Sequence, residues 1–191
     1  MKNFTRVILV AVAMILVSAL YRIIPGRPYG FAPQIAMALF CGAVIPNRKL
    51  SFLVPLGSMF VSDLLFELVY RLGWSGVQGF YQGQWVNYLL FGGLTCLGWA
   101  IRPKKIVPIA LGSLAGPVLY FLASNFATWI GGGGYQRPKT WDGLLQCMND
   151  GLPFFRGSLE ATLLFGTLFF GSFAWIQTWK TPTLRSSRSG L

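Results

Sequence analysis

Asp63 and Glu67 stand four residues apart inside a long apolar run, so a helix there carries both carboxylates on one face. Tyr70 continues that face and Arg71 lies one turn beyond Glu67. Two carboxylates so close repel if both are ionised, so either one holds a proton or a cation stands nearby, with Arg71, Arg22 and Arg156 as candidates. Three readings stay open for the pair: an internal ion-pair network, contact with a substrate or cation, and a proton relay. Ionisable groups within a bilayer are costly, which makes each of them a functional candidate.

Further polar side chains fall inside apolar runs at Gln34, Asn87 and Asn125, with Glu160 near the start of the last run. Each alone suits an interhelical hydrogen bond, but together they make one end of a helical bundle polar. Tyr29, Phe31, Trp85, Tyr88 and Trp129 crowd the same end, either as an interfacial aromatic belt or as the walls of a pocket. Aromatic walls with a few amide, carboxylate and arginine groups suit a small heterocyclic or amphipathic solute. The candidate binding set is therefore Asp63, Glu67, Asn125, Trp129, Gln34, Asn87, Tyr29 and Arg27, with no catalytic group, metal ligand or cofactor expected.

The chain has no histidine, which excludes the zinc-protease motif, histidine-ligated haem and a Ser-His pair. It has no Walker A motif, so any use of ATP requires a partner. Cys41, Cys96 and Cys147 follow no C-x-x-C spacing and read as small core residues.

The elements that position these groups follow from composition. Of 191 residues, 54% are hydrophobic and only 11% charged, which points to an all-α integral membrane protein rather than a soluble domain. Apolar runs predict six transmembrane helices at about 4–24, 30–45, 50–72, 84–101, 106–130 and 157–179, forming one domain over residues 1–180. The first run resembles a signal peptide in its flanking Lys2 and Arg6, but its length favours a retained helix. Residues 140–150 suggest a separate short helix on the outer surface, and 181–191 a polar, disordered cytoplasmic tail.

Lys and Arg set the orientation. Lys2, Arg6, Arg48, Lys49, Arg102, Lys104, Lys105, Lys180, Arg185 and Arg188 fall on one side, ten of the sixteen, and that side is expected to be the cytoplasm, with both termini on it. All five acidic residues lie towards the other side. The net charge of +11 is spread between apolar runs, so its expected partner is the lipid bilayer and not nucleic acid. Gly112 and Gly116 form a G-x-x-x-G, and Ala32/Ala36 and Ala38/Gly42 are similarly spaced, either for internal packing or for another membrane subunit.

Several segments together resemble an uncharacterised bacterial family of short six-helix membrane proteins. They are Arg27 to Pro33, Ala38 to Ala43, Pro55-Leu56 with Met59 and Ser62 to Leu64, Ser124 to Phe126 with Trp129, and Pro153 to Phe155. In size, helix count and topology that family is similar to the substrate-binding S components of energy-coupling-factor vitamin transporters. The resemblance implies a multi-pass protein of the bacterial inner (cytoplasmic) membrane that captures a micronutrient or vitamin-like solute from outside. It also implies a transmembrane coupling subunit and ATPases as partners. Three other readings compete with this one: an autonomous proton-coupled transporter or channel using Asp63 and Glu67, a membrane enzyme acting on a lipid or polyprenyl substrate, and a structural or assembly role.

Overall fold

The computed structural model describes residues 2–24 and 26–179, and the side chains of 12–24 and 26–177. Six helices follow in order: α1 (Lys2–Ile23), α2 (Gln34–Val44), α3 (Arg48–Arg71), α4 (Gln84–Gly98), α5 (Ile106–Gly131) and α6 (Trp141–Trp179). No strand occurs among the described residues. The polar tail expected over 181–191 lies outside them, as do the side chains of Lys2, Arg6 and Lys180.

Local chemistry sets several boundaries. Asn47 caps α3 by accepting the backbone N–H groups of Lys49 and Leu50 at 3.0 and 3.2 Å. Gly132, in the left-handed conformation, stops α5. Pro33 and Pro46 bracket α2, neither of which can continue a helix through its own ring geometry in both directions.

The helices alternate in direction. α1 and α3 run parallel, with Ile15 against Gly57 and Arg22 reaching Ser62 and Asp63. α5 and α6 run antiparallel, with Ser113 against Gly166, Phe121 on Phe155 and Asn125 on Gly151. The start of α1, the end of α6 and the two short connections, 45–47 and 99–105, therefore share one end. The other end carries the longer connections 24–33, 72–83 and 132–140.

At the centre stands α2, which packs against α3, α4, α5 and α6 and meets α1 through Ser18 and Met37. Eight of its eleven residues are buried. Its small residues let the other helices close in. The carbon that a side chain would add at Gly42 lies 2.2 Å from the Thr95 carbonyl oxygen and 2.9 Å from Gly98 Cα, so α2 and α4 touch backbone to backbone. Gly116 of the G-x-x-x-G receives Leu39 and Ile35, and Gly112 receives Ile101, so that motif serves internal packing. The main apolar core gathers Ile35, Leu39, Met59, Phe91, Leu94 and Phe170 around it.

Six spans are expected from the apolar runs; among the described residues three helices are long and apolar enough to cross a membrane, α3, α5 and α6 over Trp141–Gln177, while the described part of α1, Val12–Ile23, and α2 are apolar but shorter. The second expected span, 30–45, holds an eleven-residue helix of about 17 Å, because Pro33 delays its start and 24–33 enters as irregular chain. The expected separate helix at 140–150 is instead the first part of a continuous 39-residue α6 that runs through Pro153. A proline inside a helix removes one hydrogen bond, and here α5 supports α6 on both sides of the break, at Gly151 and at Phe155. Large apolar side chains face outward along the helices, among them Leu53, Phe60, Leu111, Leu122, Leu164 and Leu168.

The α2–α4 contact sets a test of this packing. Gly42→Leu should lower stability by about 1–3 kcal/mol through overpacking, read as a fall in melting temperature of the detergent-purified protein. Gly93→Leu, on the open side of α4 where nothing lies within 4 Å, should leave it unchanged. Equal effects of the two would show that the helices do not meet at Gly42.

Candidate functional site

Parallel α1 and α3 bring Arg22, in the last turn of α1, level with Asp63. The Asp63 side chain is 1% exposed and that of Arg22 20%. Arg22 Nη1 donates to Asp63 Oδ1 at 2.6 Å and also to Ser62 Oγ. Asp63 Oδ2 accepts from Gln84 Nε2 at 2.6 Å and from the Tyr88 hydroxyl at 2.7 Å. Gln84 and Tyr88 are four apart on α4 and so share one face, which is the face turned to α3.

The network continues sideways. Asn87 Nδ2 donates to Gln84 Oε1 at 3.0 Å and to the Tyr81 hydroxyl at 2.8 Å, while the Tyr120 hydroxyl donates to Asn87 Oδ1 at 3.0 Å. One carboxylate thus ties together α1, α3, α4, α5 and the 72–83 connection. That connection is pressed onto it: a side chain at Gly79 would start 1.8 Å from the Asp63 carbonyl oxygen. Burial pushes the Tyr81 phenol up, and its Asn87 partner opposes that shift in part.

Beside this network lies a cavity of about 920 Å³. It sits at the end with the longer connections because α2 begins so deep in the bundle. Gln34 and Ile35 at the start of α2 form part of its lining. Arg22, Met59, Phe66 and Val69 come from α1 and α3, and Asn87, Phe91, Tyr120, Ser124, Asn125 and Thr128 from α4 and α5. Phe154 and Ser158 of α6 complete the wall, while Trp74, Ser75, Val77 and Tyr81 reach in from the 72–83 connection.

The remaining side is the chain over 24–33, which is pinned twice. Arg27 Nε donates to the Arg22 carbonyl at 2.8 Å and Arg27 Nη1 to the Phe31 carbonyl at 3.2 Å. Burial, and then the positive charge of Arg22, draw the Arg27 guanidinium below its usual range. Gly30, at φ +70°, packs its α-carbon against the Phe154 carbonyl with no room for a side chain. Ser158 Oγ then donates to the Gly30 carbonyl at 3.2 Å. Tyr29 stacks its ring 5.2 Å from that of Phe154.

A family model matches residues 2–184, almost the whole chain. The chain belongs to the family of unknown function DUF6580. No curated protein and no solved structure matches it. Family membership supplies no chemistry, so the reading of this DUF6580 protein rests on its cavity.

Of the eight residues singled out in the sequence, Arg27, Tyr29, Gln34, Asn87 and Asn125 line the cavity. The other three do not. Asp63 stands behind Arg22 within the network, Glu67 pairs with Arg71 at 2.8 Å on the surface, and Trp129 Nε1 donates to the Pro138 carbonyl at 2.8 Å. The two carboxylates therefore each have their own arginine. Arg156, the third candidate cation, pairs with Glu160 at 2.9 Å. Asn125 Nδ2 donates to the Phe121 carbonyl at 2.8 Å, and its side chain abuts Gly151. Among the described residues no group of three or more His, Cys, Asp or Glu is placed to hold a metal ion. Tyr120 and Gln84 escape the sequence reading. For Gln84 a signal was present, since Gln84, Asn87 and Tyr88 fall at i, i+3 and i+4.

Breaking a buried ion pair on one side strands the other charge, and for the Arg22–Asp63 pair the expected loss is about 3–5 kcal/mol. Asp63→Asn and Arg22→Met should each lower the melting temperature of the purified protein. The double variant should lose less than the two combined, because neither charge is then left alone. Strict additivity would show that the two side chains do not interact.

Proposed function

We propose that this is a solute-capturing protein of the bacterial cytoplasmic membrane, with its six helices as a transmembrane bundle and its cavity open to the outside. The observation that carries the reading is the one-ended cavity, walled by aromatic rings, amides and two arginines and lying where α2 stops short. Its volume is that of a small-molecule site. Membrane placement draws support from the three long apolar helices and the outward apolar side chains. Arg48, Lys49, Arg102, Lys104 and Lys105 flank the short connections at the other end, which by charge bias is the cytoplasmic one, with both chain termini.

A bundle of six helices with a pocket at one end is the arrangement that an S component of an energy-coupling-factor transporter would need. In that reading a vitamin-like micronutrient is the solute, and a transmembrane coupling subunit with ATPases supplies transport. The competing transporter and enzyme readings each call for an acidic group at the solute. The cavity lining contains neither Asp nor Glu, so a carboxylate-based proton relay or acid–base pair has no side chain there.

The test is a thermal-shift screen of the detergent-purified protein against vitamins and related micronutrients, repeated with Ser124→Trp, which puts a bulky ring into the cavity. A bound solute at one hundred times its Kd stabilises the folded state by about 2.7 kcal/mol. The expected result is a selective rise in melting temperature that Ser124→Trp abolishes. A rise that survives Ser124→Trp would place the solute elsewhere and overturn the cavity as the capture site.

A further inference from the structure

Electrostatic features of the cavity narrow the chemistry of what it holds. Two of its lining residues are cationic and none is acidic. Arg22 is neutralised from behind by Asp63, but no carboxylate among the described residues stands within ion-pair distance of Arg27. The uncompensated charge on the wall is therefore that of Arg27. Its hydrogen bond to the Phe31 carbonyl holds the guanidinium three residues ahead of Gln34, beside the start of α2.

That helix start adds to the same field. The N-terminus of α2 has no side-chain cap, and its first backbone hydrogen bond as a helix is made by Met37 N–H to the Pro33 carbonyl. Free N–H groups and the helix dipole favour negative charge there. Gln34, 3% exposed, is at the same place. Its Nε2 makes a long contact of 3.4 Å to the Ser18 carbonyl, while its Oε1 has no donor at all.

Resting on the solute-capture reading, we propose that the cavity takes a soluble solute bearing an oxyanion, carboxylate or phosphate. That group sits against Arg27, beside the uncapped start of α2. The aromatic rings of Phe91 and Tyr120 flank the space for its apolar part.

Charged thiol reagents test this without knowledge of the solute. Ser124→Cys is placed in a Cys96→Ser background, since Cys96 is exposed while Cys41 and Cys147 are buried. The protein, in phosphatidylcholine vesicles, is treated from outside with anionic sulfonatoethyl or cationic trimethylammonioethyl methanethiosulfonate. Each rate is divided by the reagent's rate with free cysteine. One uncompensated charge in a partly desolvated cavity should favour the anionic reagent roughly tenfold. Arg27→Lys should keep that preference and Arg27→Gln should remove most of it, in proteins that melt cooperatively.

Equal rates, or a cationic preference, would overturn the oxyanion while leaving solute capture intact. No reaction with either reagent, in folded protein, would show a cavity closed to the outside and overturn both. Millimolar benzoate should slow the anionic labelling, with no change when phosphatidylglycerol replaces half the lipid. Slowing by phosphatidylglycerol and not by benzoate would assign the oxyanion to a lipid headgroup and overturn the soluble solute.

Discussion

The length of α2 constrains everything around it. Eleven residues rise about 17 Å, while α3 and α5, at 24 and 26 residues, rise about 36 and 39 Å. A central helix that short leaves the surrounding helices with nothing between them over part of their length. On the side of the short connections Gly42, Gly98 and Gly116 let them close the gap. On the other side the gap remains as the cavity, lined by Arg22, Val69, Ser124 and Phe154 from the surrounding helices.

A gap in a helical bundle collapses unless something holds its walls, and here the holding element is polar. Asp63 receives three donors from α1 and α4, and the chain of amides and hydroxyls beyond it reaches Tyr120 on α5. Between membrane helices such bonds average less than a kcal/mol, so their number matters more than the strength of any one. Arg22 serves twice, as the partner of Asp63 and as part of the cavity wall. Arg22 thus links the cavity wall to the joint that positions α1 against α3.

Much of this was legible in the residues themselves. Apolar runs gave all six helices, because a long hydrophobic stretch between basic or proline-bearing turns has few alternatives to helix. Polar side chains at matching depths pointed to the end where the cavity lies, and Arg27, Tyr29, Gln34, Asn87 and Asn125 share its lining. What spacing along one helix hides is which neighbour a side chain finds. Asp63 and Glu67 look like a pair on α3, yet Asp63 faces inward to α1 and α4 while Glu67 turns to Arg71 on its own helix. The start of α6 was hidden for a different reason. Trp141 to Asp150 is too polar to read as a span, and only its packing of Cys147 and Gly151 on Asn125 shows that it continues the same helix.

The irregular chain over 24–33 is the least expected part of such a bundle and has a physical licence. Irregular backbone inside a helical bundle is tolerated where it is buried with its polar groups satisfied or borders a polar cavity, since an unpaired buried carbonyl or N–H is costly. This segment does both. Arg27 satisfies the carbonyls of Arg22 and Phe31, Ser158 satisfies that of Gly30, and the other face of the segment borders the cavity. Replacing these residues with helix formers would lengthen α2 upward and fill the space. The chain over 26–33 that precedes α2 therefore borders the cavity, and Arg27 is its one charged side chain.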